Sequence, residues 1–256
     1  MKYLLGLVAL STVLVASTAY ADGMPEPYTP PVVLKPYNWS GAYIGGHFGW
    51  AWTDVDVFDV DFYNLPPNNF SYDLDGPFGG GQAGYNMQSG SIVYGIEGEL
   101  GYLALDGSGQ APSRVGIPGD SISSVDGGIY GTIAGRVGFA ADGFLVYGKA
   151  GWGFADVDAS YTDDNAAGGF VLVSGTSRDE TINAPVYGGG VEFAVTSTAT
   201  FKVEYLRMDF DESVTVSTLA SDGQRYRFKH DIDAIDTVKV GFNIKLGRER
   251  LREPLK

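Results

Sequence analysis

The chain has 256 residues, among them 37 Gly, 14 Phe, 16 Tyr, 4 Trp and no Cys, and 17 Lys plus Arg stand against 31 Asp plus Glu for a net charge of −14. Without Cys there is no disulfide framework and no thiolate metal or redox site, and a chain this acidic offers no basic footprint for a nucleic-acid partner. The glycine has no three-residue period, which excludes collagen, and 13% aromatic content excludes a disordered chain.

The N-terminus reads as an address. Lys2 gives a positive start, Leu4 to Ala16 an apolar core, and Ala19-Tyr20-Ala21 a small-x-small cleavage site. Residues 1–21 are therefore expected to be a secretory signal peptide, the apolar run being short for a transmembrane helix. Residues 22–38 contain Pro25, Pro27, Pro30, Pro31 and Pro36 and read as an extended periplasmic linker.

From Trp39 onward the period is two. Eight alternating segments are predicted, at roughly 40–53, 77–88, 91–105, 127–140, 143–156, 183–195, 199–210 and 231–246. Three connections are short: Ser89-Gly90, Ala141-Asp142 and Thr196-Ser197-Thr198. The other four run about 20 residues each and are rich in Gly, Asp, Asn, Ser and Pro. Tight turns on one side and long loops on the other describe an all-β, eight-stranded antiparallel up-and-down transmembrane β-barrel over 39–246, followed by a charged periplasmic tail at 247–256. An even strand count places both termini on the short-turn side, the periplasm, and turns the long loops outward.

The faces support a membrane barrel. Ile92, Tyr94, Ile96, Leu100 and Tyr102 share one parity, and Glu97 and Glu99 the other. Ile129, Ile133, Val137 and Phe139 oppose Tyr130, Thr132 and Arg136, and Val238, Val240, Phe242, Ile244 and Leu246 oppose Lys239, Asn243 and Lys245. No charge falls on the apolar parity of the strand cores, as hydrocarbon requires, since Lys or Arg facing lipid at mid-bilayer costs about 2–4 kcal/mol. The alternative, a soluble lipocalin-like barrel, puts the apolar face inside. Trp50, Trp52, Tyr102 and Trp152 would form an outer aromatic girdle, and Tyr85, Tyr94, Phe139, Phe144 and Phe201 a periplasmic one.

The inward parity gathers Glu97, Glu99, Glu192 and Glu204 against Arg136, Lys149, Lys202, Lys239 and Lys245. Near-cancellation in a lumen only wide enough for its own side chains predicts an ion-paired plug, with Gln82 and Asn86 as neutral filling. A narrow, gated conduit is the alternative. Of the two histidines, His47 points inward in mid-strand and His230 falls on the outward parity near the external rim. His230 with Asp231 or Ser221 could mimic a lipid-acting site, but a satisfied rim histidine is the expectation. No catalytic constellation, metal site or cofactor is assigned. The Gly runs at 79–81 and 188–190 precede no helix, so they are not phosphate loops. The expected loops are acidic: Asp54, Asp56, Asp59, Asp61, Asp73 and Asp75 in the first, Asp156, Asp158, Asp163 and Asp164 in the third. Carboxylates there suggest divalent cations shared with lipopolysaccharide phosphates, but the spacing matches no EF-hand loop and plain solvation of exposed loops is the expectation.

Several stretches carry a resemblance: Trp39-Ser40-Gly41-Ala42-Tyr43-Ile44-Gly45-Gly46, the run Gly79 to Asn86, Tyr94-Gly95-Ile96-Glu97-Gly98-Glu99, Val203-Glu204-Tyr205-Leu206 and Thr237 to Asn243. Together they resemble the alphaproteobacterial small outer-membrane porin-like family, the outer membrane immunogenic proteins, over about residues 37–246. The resemblance implies an abundant eight-stranded surface barrel in the Gram-negative cell outer membrane, without enzyme activity. Its partners would be outer-membrane lipid, lipopolysaccharide and, during insertion, the barrel-assembly machinery. Some relatives are implicated in haem binding or host contact, so a haem or host ligand is an alternative partner, with no motif that assigns residues. The family usually closes on an aromatic residue, where this chain has Leu246.

Overall fold

Strict apolar/polar alternation commits a segment to extended backbone, because only a strand sends successive side chains to opposite faces. The computed structural model describes residues 37–63, 69–112, 121–163, 176–210 and 212–247. The signal peptide, nearly all of the linker, Asp164 and the tail beyond Gly247 lie outside the described residues. The strands are β1 (Gly41–Asp59), β2 (Asn69–Ser89), β3 (Ile92–Leu103), β4 (Asp106–Gln110), β5 (Ser121–Ala141), β6 (Phe144–Asp163), β7 (Thr176–Ala194), β8 (Ala199–Met208), β9 (Glu212–Leu219), β10 (Arg225–Ile232) and β11 (Ile235–Leu246).

All pairings are antiparallel, and they close a ring through β1, β2, β3, β5, β6, β7, β8 and β11, which returns to β1. These eight staves are the predicted barrel. β4, β9 and β10 continue β3, β8 and β11 beyond short breaks. The first hairpin turns on Gly90, which takes φ 61° at the first of two central positions, where glycine carries no steric penalty. Asp142 takes the same place in the second, at φ 52°.

The strands are longer than the predicted segments. β5 has 21 residues, about twice the 9–11 that a bilayer crossing needs. Much of what reads as long loop is strand that continues past the membrane. The side-chain parity continues too, but its chemistry inverts. On β1 the outward residues Ile44, Phe48 and Trp50 give way to Asp54 and Asp56, while inward His47 gives way to buried Val55 and Val57. The same exchange on the other staves builds an apolar core inside the extension, including Leu74, Leu103, Val125, Tyr161, Ile182, Val216 and Phe228. Tyr161 and Phe228 stack face to face there, centroids 3.6 Å apart.

Two irregularities sit where the zones meet. β5 carries an extra residue against β6 between Gly127 and Tyr130. In the last stave Asp233, Ala234 and Ile235 lie across from only Thr53 and Asp54, with the Asp233 amide bonded to the Asp54 carbonyl at 3.0 Å. One extra residue reverses every side chain beyond it. His230 is therefore inward and fully buried, which corrects its expected outward, rim position.

Candidate functional site

The lumen of the membrane zone is the densest polar cluster among the described residues. β3 supplies Glu97 and Glu99, β5 Arg136, β6 Lys149, β7 Glu192, β8 Lys202 and Glu204, and β11 Lys239, all inward by parity and all at most 5% exposed. The Lys149 ammonium lies 2.7 Å from Glu97, 2.5 Å from Glu99 and 3.2 Å from Glu204. Lys202 donates to Glu97 at 2.9 Å, and Lys239 pairs with Glu99 at 2.5 Å and Glu204 at 2.8 Å. Arg136 pairs with Glu192 at 3.0 Å and donates its Nε–H to Asn86 at 2.8 Å. Its guanidinium lies between the rings of Tyr43 and Tyr147, 4.8 and 5.2 Å from their centroids.

Four carboxylates meet four cations, so the cluster is neutral. Neutral donors complete it: Tyr43 donates to Glu97 at 2.7 Å, Tyr147 to Glu204 at 2.6 Å, and Thr200 and Asn243 to Glu192 at 2.5 and 2.9 Å. Above it, His47 bonds Gln82 at 2.6 Å and makes a short contact with the Tyr130 hydroxyl. Packing is tight enough that a Cβ on Gly45 would run into Asn243 and Gln82. Glu97, Glu99 and Glu204 bring carboxylate oxygens within 4.8 Å of one another. That spacing suits a metal ion, but three lysine ammonium groups already stand among them, which fills the site with charge of the required sign.

Eight of the nine interior charges expected from sequence are thus brought together. Lys245 stands apart, because it lies one residue from the end of β11; its ammonium donates to the Asn38 carbonyl and sits 5.2 Å over the Tyr37 ring. Tyr43 and Thr200 were not foreseen. Inward parity was the only signal that marks them, and neither carries a charge to draw attention.

A second polar group lies inside the apolar extension. His230 Nε2 is 2.7 Å from Ser123 Oγ, and the Tyr72 hydroxyl is 3.0 Å from the same oxygen. Both boundary irregularities are needed for this, since each turns one partner inward. Asp231 instead pairs outward with Lys229 at 2.7 Å, and His230 turns to Ser123 rather than to Asp231 or Ser221. Ser123 and His230 are each 0% exposed, so this Ser–His pair is closed to substrate. Burial also pushes the His230 imidazole down to about 4.

On the outside, carboxylates stand directly opposite one another in a row across five strands: Asp75, Asp106, Asp126, Asp158 and Asp179. Loss of water and then the charge of Asp179 raise the Asp158 carboxyl from its ordinary value. The row begins just beyond the outer aromatics, where Trp50 donates its indole N–H to Asp75 at 3.1 Å.

The model of the outer membrane protein beta-barrel domain family matches residues 7–245. The chain belongs to this family. It is 28% identical over 249 residues to the 31 kDa outer-membrane immunogenic protein of Brucella melitensis, covering 93% of this chain and 98% of that one. It is 32% identical over 181 residues to the 22 kDa outer membrane protein of Rhizobium leguminosarum bv. viciae, covering 68% of this chain and 65% of that protein's length. Among solved structures it resembles OprG of Pseudomonas aeruginosa, with a TM-score of 0.45, 10% identity and coverage of 82% of this chain and 98% of that one. The Brucella and Rhizobium relatives are outer-membrane proteins, and the outer membrane is where this family member belongs.

Two predictions follow from the geometry. Lys149→Met leaves three buried carboxylates short of a cation and should cost about 3–5 kcal/mol, read as a lower urea midpoint for the detergent-folded barrel; Lys245→Met should leave that midpoint within error. For His230, the folded pKa is lowered, so the fold is at full strength above about pH 6.5, where the ring is neutral folded and unfolded. It weakens as pH falls through that value towards about 4, by up to about 3 kcal/mol. Protease cleavage within the extension should rise across that window, and His230→Gln should flatten the rise.

Proposed function

We propose that this protein is a closed, non-enzymatic outer-membrane barrel that contributes to envelope structure and holds a folded, acidic extension at the cell surface for interaction. The observation that carries this reading is the double closure of the lumen. A neutral ion-pair cluster fills the membrane zone, and an apolar core fills the extension above it. A continuous water path would have to break buried pairs below and cross packed aromatics above, at several kcal/mol for each step. Both histidines are buried, His47 bonded to Gln82 and Tyr130 and His230 to Ser123, which supports the absence of chemistry and offers neither to a haem iron. In this reading both termini lie in the periplasm, with lipid and lipopolysaccharide around the wall and the barrel-assembly machinery as the partner in insertion.

Single-channel recording in planar bilayers tests it. The refolded protein should give no large, stable conductance steps, and porin-like steps that recur in every preparation would establish a small diffusion channel instead.

A further inference from the structure

On the outer face of the extension, three neighbouring strands carry three unlike columns. β10 presents Arg225, Arg227 and Lys229 at alternate positions, β9 presents Ser213, Thr215 and Ser217, and β1 presents Phe58, with Val60 and Phe62 just beyond its end. The register sets them side by side. Lys229 is opposite both Phe58 and Thr215, and Arg227 is opposite Ser217, with its carbonyl accepting from the Val60 amide at 3.0 Å. Alternate residues on a strand lie about 7 Å apart, so the cations form a straight line about 13 Å long. No other outward strand face among the described residues carries three cations.

The line is held ready. Asp61 grips Arg227 through Nε and Nη2, at 2.9 and 2.7 Å, which orients the guanidinium and leaves Nη1 outside the grip. Lys229 bonds Asp231 at 2.9 Å and keeps two further ammonium protons. Arg225 is exposed and has no ion pair among the described residues. Exposed pairs of this kind are worth about 0–1 kcal/mol, so a ligand anion can exchange into them. Beside the line, Phe58 and Val60 are 39% and 40% exposed and Phe62 is 65% exposed, beyond the lipid-facing band. Phe62 takes φ 57°, a left-handed conformation that a bulky residue adopts only under constraint.

We propose that this surface binds a linear anionic polysaccharide, with its carboxylates along Arg225, Arg227 and Lys229 and its sugar rings against the β9 hydroxyls and the phenyl groups of Phe58 and Phe62. An evenly spaced, straight row of cations fits a polymer with regularly repeated charge. Hydroxyl groups on one flank match sugar hydroxyls, and aromatic faces on the other cover sugar C–H faces. Asp56, Asp61, Asp222 and Asp231 border the row, which disfavours a densely charged polyphosphate. Access for such a ligand on the cell rests on the outward orientation proposed above; the binding itself does not.

The test uses the full refolded chain in detergent, a fluorescent oligouronate prepared from alginate, a neutral oligoglucan of matching length, and poly-glutamate. The oligouronate should bind, more weakly as salt rises, and the glucan should not. Arg225→Glu, which removes no internal pair, and the double variant Arg225→Glu/Arg227→Glu should each weaken binding at least about tenfold while keeping the gel mobility of the unboiled, folded barrel. Phe58→Ser should weaken it, and Lys245→Glu should not. Unchanged binding by the charge-reversed variants, or binding of the neutral glucan, overturns the proposal. Poly-glutamate binding as tightly as the oligouronate overturns it in favour of an acidic polypeptide. Orientation is read separately, from labelling of Ser221→Cys by an impermeant maleimide on intact cells. Absent labelling with retained oligouronate binding would contradict the outward reading alone.

Discussion

A closed sheet has two faces, and in this protein both change their surroundings partway along the strands. In hydrocarbon every backbone N–H and C=O must find a partner within the sheet, which forces the ring shut. Once it is shut, period-two alternation assigns each residue to the wall or to the lumen. Ile44, Phe48 and Trp50 on β1 satisfy lipid on the wall; six residues further, Asp54 and Asp56 satisfy water on the same face. The inward residues must exchange in the opposite sense, because Val55 and Val57 then have only each other and the opposite staves to pack against.

Below the exchange, the lumen is a problem in charge. Eight ionised groups in a space this narrow are tolerable only as a neutral, fully bonded set, since desolvation costs several kcal/mol per ion before any pair forms. The structure comes close to that condition with four carboxylates and four cations, and with phenol, hydroxyl and amide donors on further carboxylate oxygens, Arg136 Nη2 alone of the charged groups' nitrogens being buried without a hydrogen bond among the described residues. Such a set favours one arrangement strongly, because displacing any member strands a charge. The barrel wall and the plug thereby fix each other. The extension, packed on aromatics and aliphatics, is the ordinary soluble solution to the same topology.

Much of this was legible in residue order. The eight staves, the short turns and eight of the nine interior charges follow from parity, because parity is a property of local sequence. Three things were not. The strands look short because an outward Asp beside an inward Val reads as loop when hydrocarbon is assumed throughout, as at 54–59 and 156–163. His230 changes face because Ala234 belongs to an irregularity that no local pattern announces; its opposite, Thr53–Asp54, lies some 180 residues away in sequence. Lys245 has the right parity but the wrong height, and height along a barrel is fixed by register with neighbours rather than by the strand itself.

The absence of Cys in the natural chain makes a site-directed spin-label scan of β1 clean. With one label at a time from 44 to 58 in proteoliposomes, the even positions from 44 to 50 should be accessible to oxygen and closed to a water-soluble nickel relaxant. Positions 54 and 56 should show the reverse, and odd positions should be closed to both. Strong nickel accessibility at 44 and 48, or at 47, would contradict the inverted, closed barrel.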